Sequence, residues 1–515
     1  MIRPISKTNF LEYLHCPKNL WLKIHKPELL EKFELSEFEK HLIEQGYEVE
    51  SCARNLFPGG VEVKSTGEDA CRDTIRLMTS NAPTIFQSTF IVDGFLARND
   101  MLSYDSKNEC WDLYEVKGTN KLKEGAQERN HLDDITFQAS VLRRAKVKIG
   151  RYFLVHLNKD YVRNGDLDYK ALLKIDPLTE KILEHLPEIE EKMAVAKEYL
   201  NQETEPAGNC NCLYKTRTNQ CTTFQYSNSH VPLYSIHDIS YISAKKIQFL
   251  VEDGILDLND ISEDIELTDR QRNQVIAHQR QKPDIDKPAI KEILDSLKFP
   301  LYFLDYEAYA PAIPMFNGYS PYMRVPFQFS LHILRKPDDK PKHIEYLHED
   351  LTDPTEKVAK ILSEAILPGG TIIAWHKSYE AGVNKEIGMR LPAYAKVFER
   401  INGSLYDLKE IFSNQLYIHP DFKGKSSIKK VLPVLTAKRY SNINIQEGGQ
   451  AVDAWVTMVS PDTSIEKKKQ INKDLKIYCG LDTEAMYEIW KHLYDIVLSE
   501  WRELVFSGFG SERRL

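Results

Sequence analysis

Leu301-Tyr302-Phe303-Leu304 runs directly into Asp305-Tyr306-Glu307. Four successive apolar residues read as a strand buried on both faces, and period-two alternation then projects both carboxylates from the same face. Two like charges that close need a cation to be tolerated. The segment therefore demands a sheet whose buried strand ends at a cation site. Downstream, Pro326 to Leu334, His343 to Leu347 and Thr371 to Trp375 read as strands, and Tyr379 to Met389 as a helix. Tyr478 and Asp482, in Tyr478-Cys479-Gly480-Leu481-Asp482, are four apart and share one face of a helix.

A chain of 515 residues exceeds one compact core and divides into two or three domains. Its 42% hydrophobic and 28% charged residues are ordinary for a globular protein. No run is long and apolar enough for a membrane span, and Met1-Ile2-Arg3-Pro4 opens no signal peptide, so a cytoplasmic location is expected. The net charge of -8 argues against a protein that coats DNA electrostatically. Basic segments are local: Lys423, Lys425, Lys429, Lys430, Lys438 and Arg439 in an acid-free stretch, and Arg143, Arg144, Lys146, Lys148 and Arg151 in another.

A second acidic pattern lies upstream, where Asp100 precedes Glu115-Val116-Lys117. Residues 36 to 56 and 127 to 145 are helical in period, and 89 to 104, 111 to 117 and 152 to 156 strand-like, an α/β alternation. On neighbouring strands, Asp100 and Glu115 offer the hard oxygen ligands that Mg2+ or Mn2+ prefers. Lys117 points to the same face as Glu115 and is placed to orient water and offset charge developing on a phosphate. Of eight cysteines, Cys52, Cys71, Cys110 and Cys479 are scattered. Cys210, Cys212 and Cys221 fall within twelve residues of a largely polar segment, and a soft metal centre needs a fourth ligand, which would be Cys16.

One early cysteine, a nuclease-like core and three clustered cysteines resemble the RecB-type PD-(D/E)XK nucleases with an iron-sulfur cluster, among them CRISPR-adaptation exonucleases and AddB-type subunits. The resemblance covers roughly residues 1 to 225 and implies a 4Fe-4S cluster on Cys16, Cys210, Cys212 and Cys221, with zinc as the alternative. Gln138 resembles the glutamine of the Q-x-x-x-Y motif, although Leu142 stands at the tyrosine position. Glu48 and Glu50 are candidates for a further metal ligand, and His41 for the histidine of related nucleases. Asp305, Glu307, Tyr478 and Asp482 resemble the first and third motifs of DnaQ-like exonucleases of the DEDDy type. That likeness implies two bound metals, with the tyrosine orienting the water. Glu380 stands where the middle motif expects aspartate, and Asp407 is a second candidate acid. Gly424-Lys425-Ser426-Ser427 lacks P-loop spacing and suits phosphate-backbone contact instead. FLDYE, SSIKKVLP and YCGLD together are similar to a bacterial family known only as a domain of unknown function fused to a RecB-like module.

The expected architecture is α/β: a PD-(D/E)XK restriction-endonuclease-like domain over 1–229, a helical connector over 230–298, and an RNase H-like, DnaQ-type domain over 299–515. In the connector Thr268 is the expected cap of a helix to His278, in a segment that vaguely resembles a helix-hairpin-helix module. The expected function is metal-dependent hydrolysis of DNA, at single strands or ends, by two nuclease centres. The alternatives are a nucleic-acid-binding or scaffolding protein with degenerate centres, and an RNA exonuclease.

Overall fold

The computed structural model describes residues 4–29, 37–123 and 130–508. The chain is a mixed α/β protein that divides into two compact units, Met1–Val231 with Pro311–Tyr322, and Pro232–Ala310 with Met323–Leu515. Among the described residues no helix is long and apolar enough to cross a membrane.

The first unit is built on one sheet. β1 (Ile5–Ser6) pairs with β4 (Phe95–Asp105), and the remaining order is β2 (Val61–Glu62), β3 (Thr84–Val92), β4, β5 (Cys110–Lys117), β6 (Ile149–Leu157), β7 (Leu173–Pro177). The expected single strand over 89–104 is instead a hairpin. Asp93 and Gly94 both take positive φ, 54° and 83°, as the two-residue turn between antiparallel strands requires. The helix His131–Arg144 starts at Asn130, whose side chain accepts from the Leu132 N–H; residues 127–129 of its expected start lie outside the described residues. Its apolar face joins a core in which Phe10 stacks on Phe137 at 5.0 Å.

In the second unit the helices Ala244–Glu252, Asp269–Arg280 and Lys287–Ser296 lie within the span expected as a helical connector. The first two share a small core around Ile247, Leu250 and Val275. β8 (Asp284–Ile285) nevertheless pairs with the distant β14 (Tyr417–Ile418), which ties the segment to the rest of its unit. Thr268 is the expected cap and forms a reciprocal capping box with Gln271.

The main sheet runs β11 (Lys342–Leu347), β10 (Val325–Leu334), β9 (Leu301–Tyr309), β12 (Thr371–Ala374), β13 (Leu405–Asp407), with β9 to β11 antiparallel and β12 and β13 parallel to β9. β9 is central, which is why it is apolar on both faces. Tyr302, Leu304 and Tyr306 enter the core with Val358 and Phe398. Phe303 points the other way and meets Trp490 and Tyr487 of the long helix Ile465–Gly508. Alternation then puts Asp305 and Glu307 on the Phe303 face, toward the helix that carries Asp482. Truncating fully buried Trp490 to alanine would cost about 3–5 kcal/mol and loosen that alignment.

Candidate active sites and metal centre

In the first unit β4 and β5 bring Asp100 and Glu115 together, one step beyond the paired Met101 and Tyr114. Asp100 Oδ2 accepts from the Val116 N–H at 2.8 Å. Lys117 does share the Glu115 face, with Nζ 2.6 Å from Oε1, and it also pairs with Asp134. Lys7, just past the start of the helix Lys7–His15, reaches the same Glu115 oxygen at 2.7 Å and Asp134 at 3.1 Å. Gln138 is fully buried and donates through Nε2 to Glu115 Oε2 at 2.7 Å and Asp134 Oδ1 at 3.1 Å. Leu142 is a buried core residue.

Two lysines therefore sit on Glu115 beside Asp100. Burial works to raise the Glu115 pKa, but Lys117 and Lys7 hold the carboxyl well below the usual range. At Asp100 burial and the Glu115 charge outweigh Lys7 and Lys117 and push the carboxyl up to about 8. Burial alone would lower the Lys7 pKa, and Asp134, Glu115 and Asp100 raise it well above the ordinary value. A recess lined by Lys117, Lys123, His131, Asp134 and Tyr322 opens beside the cluster. Of the further candidates, Glu50 accepts from Arg54 and Gln87 at 2.8 and 2.6 Å, and its charge acts on Asp100. His41 pairs with Gln45, and Glu48 is exposed.

Cys16, Cys210, Cys212 and Cys221 converge, with all four sulfurs buried and within 4.8 Å of one another. Cys16 sits between two helices, ending Lys7–His15 and starting Pro17–His25. Asn19, one turn later, accepts from the Thr223 backbone N–H at 3.0 Å and its hydroxyl at 2.7 Å, fixing the early helix against the late loop. Asn228 donates to Cys210 Sγ at 3.2 Å, the kind of outer contact that supports a thiolate ligand. A buried four-thiol set of this kind is able to hold a metal.

In the second unit Asp305, Glu307 and Asp482 place carboxylate oxygens within 4.8 Å of one another. At an effective dielectric of about 20, two full charges 4.8 Å apart repel by about 3 kcal/mol. Three cannot ionise together without a cation. Burial, then Asp482 and Glu307, push the Asp305 carboxyl well above its normal range. Burial and Asp482 do the same to Glu307 against the pull of Lys429. Asp482 rises only to about 6, because burial is opposed by a hydrogen bond from Tyr440 and by Lys429.

Glu380, on the helix Ser378–Arg390, is 2% exposed and pushed up to about 8, chiefly by burial. Its Oε2 is buried with no hydrogen-bond partner, as expected of an oxygen reserved for a ligand. Three converging acids and an orphaned fourth carboxylate suit hard divalent ions. Tyr478 is buried beside Asp482, with Lys429 5.8 Å from its ring. Asp407 serves the backbone instead, accepting from the N–H groups of His376, Lys377 and Lys409, and so anchors the turn before Glu380.

Three functional side chains escaped the sequence reading. Lys7 lies 108 positions from Glu115, and nothing local marks it. Tyr440 donates to Asp482 Oδ1 at 2.5 Å from an irregular segment. Asp134 did leave a signal, being four residues before Gln138 on one helical face.

Residues 302–427 match the family described as Domain of unknown function (DUF2779). The chain is also 26% identical over 225 residues to "Uncharacterized protein MG366" of Mycoplasma genitalium, an alignment covering 40% of this chain and 34% of that protein. The chain thus spans about a third of the length of that relative.

Proposed function

We propose that the protein is a metal-dependent nuclease that hydrolyses phosphodiester bonds of DNA, with centres in both units. The observation that carries this reading is the convergence of Asp305, Glu307 and Asp482, from a strand and a helix far apart in sequence, beside the unpartnered oxygen of Glu380. Those four carboxylates would hold divalent ions of the Mg2+ or Mn2+ type, which lower the pKa of bound water and neutralise phosphate charge. Tyr478 orients the water from the face of the helix that carries Asp482. Tyr440 holds the Asp482 carboxylate in position, and Lys429 offsets charge on the phosphate. In the first unit Asp100 and Glu115 are the acids, Lys117 faces the phosphate, and Gln138 fixes the orientation of Glu115.

The four-cysteine set is a structural metal centre in this reading. The likeness to RecB-type nucleases favours a 4Fe-4S cluster. The sulfur spacing favours a single ion: Cys210 and Cys221 are 3.8 Å apart, and tetrahedral zinc with bonds of about 2.3 Å has edges of about 3.8 Å. Broad visible absorption that bleaches on reduction identifies the cluster, and a colourless protein with one zinc identifies the ion.

The testing experiment is degradation of end-labelled single- and double-stranded DNA and RNA with Mn2+ or Mg2+, comparing native protein with Glu115→Ala, Asp305→Ala and the double variant. Loss of a distinct product series in each single variant supports two working centres on DNA. Cleavage of RNA alone moves the substrate class. A double variant that cuts like the native protein overturns the reading and leaves a binding role.

A further inference from the structure

Beside the second centre, and within its unit, lies a recess unlike the rest of this acidic chain. Its floor is formed by Phe412, Tyr417 and Phe422, which are buried and packed ring to ring at 5.7–5.9 Å. Its rim carries Tyr234 and Tyr241. Arg270 and Lys425 bring positive charge, and none of the described residues that line it is Asp or Glu. Tyr241 is 86% exposed, and it sits at a φ of 56°, a conformation that costs a non-glycine residue about 1 kcal/mol or more and persists only where the surroundings impose it. The Arg270 guanidinium lies 5.6 Å from the Tyr241 ring and is itself held by the Ser413 carbonyl. The backing of that loop is close-fitting: Gly424, at a φ of 70°, leaves no room for a Cβ against Gln274, and its carbonyl accepts from Ser240 at 2.8 Å.

Two short segments lead from this recess to the acids. Ser426, in its wall, accepts from Trp375 Nε1 at 3.1 Å, and Trp375 begins the turn into the helix of Glu380. Three residues after Ser426, Lys429 lies 5.7 Å from the Tyr440 ring and acts on Glu307 and Asp482. Three residues reach at most about 11 Å, so one short strand can span both.

We propose that this recess binds a nucleobase and its phosphate, as an upstream subsite for the single strand whose end lies at the Asp305, Glu307 and Asp482 centre. The proposal rests on the nuclease reading of that centre. Aromatic faces accept any base by stacking, and Arg270 and Lys425 meet the backbone, so the subsite grips a strand without reading its sequence.

Binding of a fluorescent strand of about twelve nucleotides to the full chain, measured by anisotropy in EDTA, tests this. Tyr241→Ala should weaken it about tenfold, Tyr241→Trp should retain it, and Lys425→Ala should weaken it and flatten its salt dependence. Abasic sites near the strand end should cost the native protein the same tenfold and cost Tyr241→Ala nothing more. Equal binding by native protein and Tyr241→Ala, with cleavage intact, overturns the subsite and leaves the nuclease reading standing. A tenfold loss in Tyr241→Ala with no cleavage by any form sinks the nuclease reading and keeps the subsite. Deoxyadenosine monophosphate competing as tightly as the strand makes the recess a site for free nucleotide and overturns the proposal.

Discussion

At the first centre Glu115 shares its oxygens with Lys7, Lys117 and Gln138, whereas at the second Asp305, Glu307 and Asp482 face one another with Lys429 as their cation. Both bury carboxylates, and Asp100 is pushed up as the second cluster is, but Glu115 is shifted the other way. The Glu115 carboxyl is held ionised by its partners. The second cluster keeps protons that a divalent ion would displace. Side-chain cations thus compensate Glu115 at the first centre, whereas Lys429 compensates the second cluster only in part, and in the proposed reading a divalent ion supplies the rest.

The comparison can be broken in several places. The largest effect is expected at the four-cysteine centre, which belongs to the first unit. Cys221→Ala should lower that unit's stability by several kcal/mol, and hydrogen exchange should show protection lost across 1–231 and retained across 323–508. Equal loss in both would mean that the units do not unfold separately. Next, Glu115→Gln should destabilise metal-free protein by about 3 kcal/mol, because it leaves Lys7 and Lys117 to share Asp134 as their paired carboxylate. Asp305→Asn should do the reverse and stabilise metal-free protein by about 1 kcal/mol, since it removes repulsion at a site built for function. Chemical denaturation checks both, and a same-signed pair would refute the contrast.

The smallest effect is the pH slope. Glu380 and Asp482 have folded pKa values raised to about 8 and about 6, so their contribution to stability is complete below the unfolded value near 4 and is lost as pH rises through 6 and 8. Glu115 is depressed, so its contribution is present above the unfolded value near 4 and is lost only in acid. Metal-free protein should therefore lose stability from about pH 4 to about pH 8, and Mn2+ should flatten that slope. Asp305→Asn should also make it shallower.

Much of this was legible because it is local. Period two predicted that Lys117 and Glu115 share a face and that Asp305 and Glu307 do, and helical spacing paired Tyr478 with Asp482. Thiols are rare enough that Cys16 could be matched to a cluster nearly two hundred residues away. Lys7 and Tyr440 were not legible, since a lone lysine in a helix and a tyrosine in a loop carry no periodic signal. The segment 311–322 was hidden for another reason: a connection between two strands of one unit is packed into the other, where Arg163 holds the Pro314 and Met315 carbonyls at 2.9 and 2.8 Å. The pairing of β8 with β14 was not legible, because a two-residue strand is too short to announce its partner.

The most direct test of the central claim is Mn2+ binding at pH 7.5, followed by electron paramagnetic resonance on native protein, Asp305→Asn and Glu115→Gln. The account predicts tight Mn2+ on the native chain and on Glu115→Gln, and loss of the tight ion in Asp305→Asn. Undiminished Mn2+ on Asp305→Asn would contradict it, because the three converging acids would then not be the cation site.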